Sequence, residues 1–257
     1  MGPQSAAAVS LSDLADQHEH GLTDELNTIV TNSVLFRLAK EGHVEMENGA
    51  ALRAAHPGKF MIMRDDPKLK KMPEKPTLVD FFKMRFFSAQ HLLQSARLAR
   101  LNGQPEKVVM ACLLHDIGVV GFIRPDHGYW GEQLIAPYVD EEVSWAIRMH
   151  QSLRFFADES VGYTYPEQYI RLFGPDYKPE PYIVREYEEA RKHKWYMTSR
   201  MITCYDVYSF DPNAVVEIEE FTDIIGRHWK QPKEGLGWDN TPSSHMWRTL
   251  NWPTRFL

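Results

Sequence analysis

With two cysteines in 257 residues, Cys112 and Cys204, both inside apolar helical patterns, the chain lacks the pairs or CxxC spacing of a disulfide framework or a dithiol redox site. It also lacks any run of about 18 apolar residues, so no bilayer span is expected. The opening MGPQSAAAVS has neither the basic n-region nor the apolar h-region of a secretory signal, and Ala6 stands where a myristoylation motif needs Ser or Thr. A cytoplasmic location is therefore expected. A basic excess is missing too. The formal charge is −6, which argues against a nucleic-acid partner, because phosphate-backbone binding needs a basic face. Neither an internal repeat nor a strand-rich region can be found.

What remains is ordinary globular composition, 43% hydrophobic and 25% charged, with helical periodicity over most of its length. The reading is all-α. Residues 1–80 form an N-terminal elaboration: Leu26, Ile29, Val30, Val34, Leu35 and Leu38 recur at three and four and predict a helix over 24–41, followed by a loop-rich segment with Pro57, Pro67, Pro73, Pro76 and the basic run Lys68, Lys70, Lys71. Residues 81–230 form a helical core. Ser88 is placed to cap a helix to Asn102 with Gly103 as its stop, Pro105 opens another to near Gly118, and Asp140 caps a third ending at His150. Helices are also predicted over Pro166–Phe173, from Pro181 to about Phe210, and from Asp211-Pro212 to about Gly226. Residues 231–257 read as an irregular tail that wraps the bundle and uses Trp238, Trp247 and Trp252 as apolar anchors.

Chemistry concentrates in the core. Val108, Ala111, Cys112, Leu113 and Leu114 make one helix apolar all round, yet it runs into His115-Asp116. Two adjacent ionisable groups at the end of a buried helix are costly unless something satisfies them, and metal ions do so. His91 precedes them, His127 follows beside Gly128 and Gly131, which leave room for close approach, and His150 ends a helix whose inward face is Val143, Ala146 and Ile147. Asp206 is a carboxylate on a mostly apolar helix face. The expected assignment puts His91, His115 and Asp206 on one ion, His127 and His150 on a second, and Asp116 across both. Six side chains leave open positions on two six-coordinate ions, as a catalytic centre requires and a structural zinc site avoids. Histidine and carboxylate ligands without thiolate suit iron or manganese better than zinc. Any one of these histidines alone is more often a hydrogen-bonded core or surface residue than a ligand; their number and order carry the inference.

The pattern His…His-Asp…Asp, with ACLLHDIG at its centre, resembles the HD-domain superfamily, and His127 and His150 resemble the extra ligands of its two-metal branch. Within that branch, HLLQSARLARLNG followed by VVMACLLHDIG is similar to the mixed-valent diiron oxygenases that cleave hydroxylated phosphonates and, more distantly, to myo-inositol oxygenase, in which a glutamine also follows the first histidine by three, as Gln94 does here. The similarity covers roughly residues 85–210. It implies an all-helical bundle holding two iron ions, suspected to be a mixed-valent Fe(II)/Fe(III) pair, and O2-dependent oxidation of a small hydroxylated substrate bound through its alcohol oxygen. The chain departs from the phosphonate enzymes upstream of His91, where Phe81, Phe82 and Met84 replace a Tyr and a Glu that close over the site. A second departure is Arg154, which stands where they carry Lys.

The expected function is a diiron oxygenase acting on a small, anionic, hydroxylated substrate, phosphonate-like or polyol-like. Gln94 favours it. The alternative is a metal-dependent phosphohydrolase using Mn or another divalent ion, and a non-catalytic metal-binding module is a third class. Ile117-Gly118-Val119 beside the HD pair supplies none of the extra positive charge phosphoryl transfer uses. Expected substrate contacts are Arg154, Gln94, Arg124, His193, Lys194 and Arg200; for the cationic candidates other than Arg154 a solvated helix face is the competing reading.

Overall fold

The structure is a computed structural model, and it describes residues 70–86, 89–121, 126–206, 209, 211 and 213–252. The expected helix over 24–41, the cap Ser88 and the substrate candidate Arg124 lie outside the described residues. Within them the architecture is all-α, and β structure is limited to one isolated bridge between Asp158 and Tyr163.

Helix α1 (Leu78–Met84) begins in a capping box: Thr77 Oγ1 accepts from the Asp80 amide at 3.3 Å and the Asp80 carboxylate accepts from the Thr77 amide at 2.8 Å. Its buried face, Leu78, Phe81 and Phe82, joins the core. The Phe81 ring meets the Trp247 indole edge-on at 4.7 Å, so the two phenylalanines of the first departure, Phe81 and Phe82, are core aromatics, with Met84 partly buried against the same core.

Helices α2 (Gln90–Leu101) and α3 (Glu106–Leu114) form a hairpin turned by Gly103 at φ 67. The two helices pack against each other, and Ala96 and Ala99 of α2 are fully buried. Every α3 residue from Val108 to Leu114 is buried, as the all-round apolar pattern required. The short α4 (Ile117–Gly121) follows, then α5 (His127–Ile135) and α6 (Glu141–Leu153), which lie against each other. After a 3-10 turn at Glu159–Val161 come α7 (Glu167–Phe173), α8 (Pro181–Ala190) and α9 (Tyr196–Asp206). Helix α9 closes the bundle against α6, α3 and α2.

Several expected boundaries change. The helix opened by Pro105 stops at Leu114, and the His115 ring nitrogen Nδ1 just beyond it donates to the Cys112 carbonyl at 2.7 Å. The helix expected to end at His150 runs to Leu153. The single helix expected from Pro181 to about Phe210 is two. Between Ala190 and Tyr196 the His193 ring stacks on Trp145 at 4.1 Å, and its Nδ1 accepts from the Trp195 amide, a side-chain bond that replaces a helical one. No helix opens at Asp211. The backbone there is taken by two glutamine side chains of α2, and regular structure resumes with a 3-10 turn at Ile218–Phe221 and α10 (Thr222–His228).

The tail is less irregular than expected, since it contains α11 (Ser244–Asn251). Trp247 is its anchor: the side chain is wholly buried and the indole N–H donates to the Leu134 carbonyl at 2.9 Å. Trp238 is 46% exposed and meets Trp252 edge-on, so it anchors far less. Gly235, at φ 91, lets the tail cross the backbone of Lys75; a Cβ there would lie 2.7 Å from the Lys75 Cα.

Candidate metal centre

Six side chains converge where five helices meet. His91 is on the first turn of α2, His115 and Asp116 follow α3, His127 opens α5, His150 lies in the last turn of α6, and Asp206 ends α9. All are buried, none more than 8% exposed. Helix α5 reaches the site because glycines clear its path. A Cβ at Gly118 would stand 2.8 Å from the His127 carbonyl oxygen, and one at Gly128 would stand 2.6 Å from the Arg148 carbonyl oxygen.

The six divide into two groups that share Asp116. Its Oδ2 lies 3.6 Å from His91 Nε2 and 3.7 Å from His115 Nε2, while its Oδ1 lies 3.3 Å from His127 Nε2 and 3.4 Å from His150 Nε2. Asp206 Oδ1 completes the first group at 2.9 Å from His91 and 3.5 Å from His115. One donor atom from each of His91, His115, Asp116 and Asp206 can be chosen so that all lie within 4.8 Å of one another, and the same holds for Asp116, His127 and His150.

Proton bookkeeping says what belongs between them. His91 Nδ1 donates to the Ser209 carbonyl at 3.2 Å, His115 Nδ1 donates to the Cys112 carbonyl, and His150 Nδ1 donates to the Ile147 carbonyl. A carbonyl only accepts, so each neutral ring carries its hydrogen on Nδ1 and presents a bare Nε2 lone pair to the centre. Yet His91 Nε2 and His115 Nε2 are 3.1 Å apart, and His127 Nε2 and His150 Nε2 are 3.2 Å apart. The lone pairs of His91 and His115 face each other and the carboxylates at such distances, and they repel. Asp116 Oδ1 and both Asp206 oxygens are buried without a hydrogen bond. Cations between the rings resolve the conflict.

Without a cation, protons must take that place. Burial opposes ionisation of Asp116, but the positive potential of His115 and His127 outweighs it and holds the carboxyl well below the usual range. Burial likewise disfavours charging His115, and the neighbouring Asp116 and Asp206 overcome it, raising the ring to about 8. The two thiols stay inert: burial pushes Cys112 up to about 12 and Cys204 to about 11.

The expected substrate contacts fare differently. Arg154 caps α6 beside the site, with Nε 3.2 Å from Asp206 Oδ2 and the guanidinium 5.2 Å from the Tyr169 ring centroid. Gln94 clamps a loop. Its amide donates to the Asp211 and Ala214 carbonyls at 2.8 and 2.9 Å, and its oxygen accepts from the Asp211 amide at 2.8 Å, so donors and acceptor are committed to backbone. His193 and Lys194 sit on the α8–α9 turn, one stacked on Trp145 and the other over the Trp195 ring. Arg200 does not lie on a solvated face. It is fully buried, donates to the Leu153 carbonyl at 3.1 Å and to Thr203 Oγ1, and so places its charge at the C-terminus of α6. Gln90 escaped the sequence reading altogether. One turn before Gln94 it exchanges two hydrogen bonds of 2.9 Å with Val216, and together the two glutamines pin the segment whose Ser209 carbonyl orients His91.

Residues 88–180 match the family model of the HD domain, a stretch that contains five of the six side chains and excludes Asp206. The chain therefore carries an HD domain. A (1-hydroxy-2-(trimethylamino)ethyl)phosphonate dioxygenase, glycine-betaine-forming, from Leisingera caerulea is 30% identical over 94 residues, which are 33% of this chain and 46% of that relative. The matched stretch thus spans less than half of the relative's length. Among the described residues, no helix is long and apolar enough to cross a membrane.

Metal removal gives a direct check. A ligand at a hundred times its dissociation constant stabilises the native state by about 2.7 kcal/mol, and for a domain of this size each kcal/mol moves Tm by roughly 2–4 °C. Stripping the protein with a chelator is expected to lower Tm by on the order of 5–10 °C, and restoring divalent metal to reverse the loss. An unchanged melting curve on chelation and re-addition argues against ions at this centre.

Proposed function

We propose that the protein is a diiron oxygenase that uses O2 to oxidise or cleave a small, anionic, hydroxylated substrate. The observation that carries the proposal is the division of Asp116 between two histidine pairs, one carboxylate oxygen facing each. That arrangement fits two adjacent ions better than one, and nitrogen and carboxylate donors without thiolate favour iron. The similarity to a phosphonate dioxygenase supports the reaction class. When bound, the iron pair supplies the redox chemistry and a Lewis-acidic site for the substrate's alcohol oxygen.

The chain's own residues then have separate tasks. The backbone carbonyls of Ser209, Cys112 and Ile147 keep three imidazoles in the Nδ1–H form, so that their lone pairs face the ions. The buried wall of α3 excludes bulk water from one side. Arg154 brings positive charge to the Asp206 side, where an anionic substrate group is stabilised. The reading involves neither nucleic acid nor membrane as partner.

The test is dependence on dioxygen. Iron-loaded protein with a hydroxylated phosphonate or polyol is expected to form product only in the presence of O2, and electron paramagnetic resonance on anaerobically handled protein is expected to show a mixed-valent diiron signal. Release of phosphate from generic phosphate esters at equal rates with and without oxygen would transfer the assignment to a metal-dependent phosphohydrolase.

A further inference from the structure

Asp126 is the one non-glycine residue with positive φ among the described residues, at φ 50 and ψ 36. It immediately precedes His127 and occupies the N-cap of α5, where its carbonyl accepts the Trp130 amide at 3.1 Å. An aspartate at this position ordinarily turns its carboxylate onto the first amides of its own helix. Here no such bond forms; Asp126 Oδ1 instead accepts from the Tyr182 hydroxyl at 3.0 Å. Tyr182 lies in the first turn of α8, directly after Pro181, which fixes the helix start. Asp126, of a residue type that tolerates the left-handed region, is thus tied through its side chain to another helix.

The consequence falls on His127. Downstream, its backbone is wedged where Gly118 and Gly128 permit close approach. Upstream, the turn that aims it is the one Tyr182 holds. We propose that the Tyr182–Asp126 hydrogen bond is a latch that sets the position of His127 and so the affinity of the second ion position, His127–His150–Asp116, while leaving the first, His91–His115–Asp206, untouched. This inference rests on the two-ion reading above. Tyr182 is 41% exposed, so the latch can be removed without opening the core.

The experiment is an anaerobic titration of metal-free full-length protein with Mn(II) or Fe(II), resolving two binding steps by calorimetry and stoichiometry by metal analysis. Wild type is expected to take two ions. Tyr182→Phe is expected to weaken one step on the order of tenfold, as loss of a partner that orients a ligand does, with the other unchanged. Asp126→Asn is expected to match wild type, because asparagine tolerates the left-handed region and offers Oδ1 to the same hydroxyl. Asp126→Ala loses both and is expected to fall at least as far as Tyr182→Phe. Two equally weakened steps in Tyr182→Phe mean general loosening and overturn the latch, as does binding equal to wild type. A wild type that takes fewer than two ions overturns the two-ion reading and the latch with it, whereas two ions in wild type and an unaffected Tyr182→Phe overturn the latch alone.

Discussion

Asp116→Ala is expected to abolish binding of both ions, whereas His150→Ala is expected to abolish chiefly one. The asymmetry follows from geometry. Asp116 Oδ2 faces His91 and His115, and Oδ1 faces His127 and His150, so one truncation removes a ligand from each group. His150 Nε2 approaches only the second group, together with His127 Nε2 and Asp116 Oδ1. The alanine variant also leaves four imidazoles crowded without the carboxylate that separates the pairs, so the metal-free variant needs its own melting curve to separate unfolding from metal loss. Asp116→Asn sharpens the test. An amide keeps one oxygen but turns an NH2 donor toward one histidine pair, and so can serve one ion at most. Metal analysis after desalting reads these outcomes. Two ions retained by Asp116→Ala would remove the bridge, and one ion in wild type would remove the pair.

How much of this was readable from sequence depends on whether a residue conflicts with its neighbourhood. His115-Asp116 conflicts with the apolar helix before it, and Asp206 conflicts with the face it shares, so both announced a site before any packing was known. The helical class followed from periodicity alone. Gln90 and Gln94 conflict with nothing in their helix; their partners are backbone groups of residues more than a hundred positions away, which no local pattern encodes. Arg200 looked like a surface cation because burial of a guanidinium needs acceptors that only the fold supplies, here the Leu153 carbonyl, Thr203 and the Tyr196 hydroxyl. The break between α8 and α9 carries no proline or glycine. It is made by the stacking of His193 on Trp145, a tertiary contact. Phe81 and Phe82 show the converse, since aromatic residues placed near a site in sequence are core packing in space.

Arg154→Ala is expected to weaken the ion held by His91, His115 and Asp206 on the order of tenfold, in addition to raising the Michaelis constant for an anionic substrate. From sequence, Arg154 lies one turn beyond His150 and could either reach an anionic substrate or pair with Asp158 at i+4. The structure gives Asp158 other partners: the Ser160 amide and hydroxyl, the Tyr196 hydroxyl at 2.6 Å and Arg200 at 3.6 Å. Arg154 Nε instead stands 3.2 Å from Asp206 Oδ2, while Asp206 Oδ1 faces the two histidines. One carboxylate oxygen thus meets the guanidinium and the other meets the ion position, so Arg154 fixes the rotamer of a ligand. Burial disfavours the Asp206 carboxylate, and Arg154 is the first of the groups that outweigh it, ahead of His115 and His91, holding it ionised and ready to bind metal. Arg154→Lys keeps the charge but not the planar fork, and is expected to recover metal affinity in part. Metal titration separates the two roles. If Arg154→Ala raises the Michaelis constant and leaves both ion affinities at wild-type values, the arginine serves substrate alone; if neither changes, it serves neither ion nor substrate.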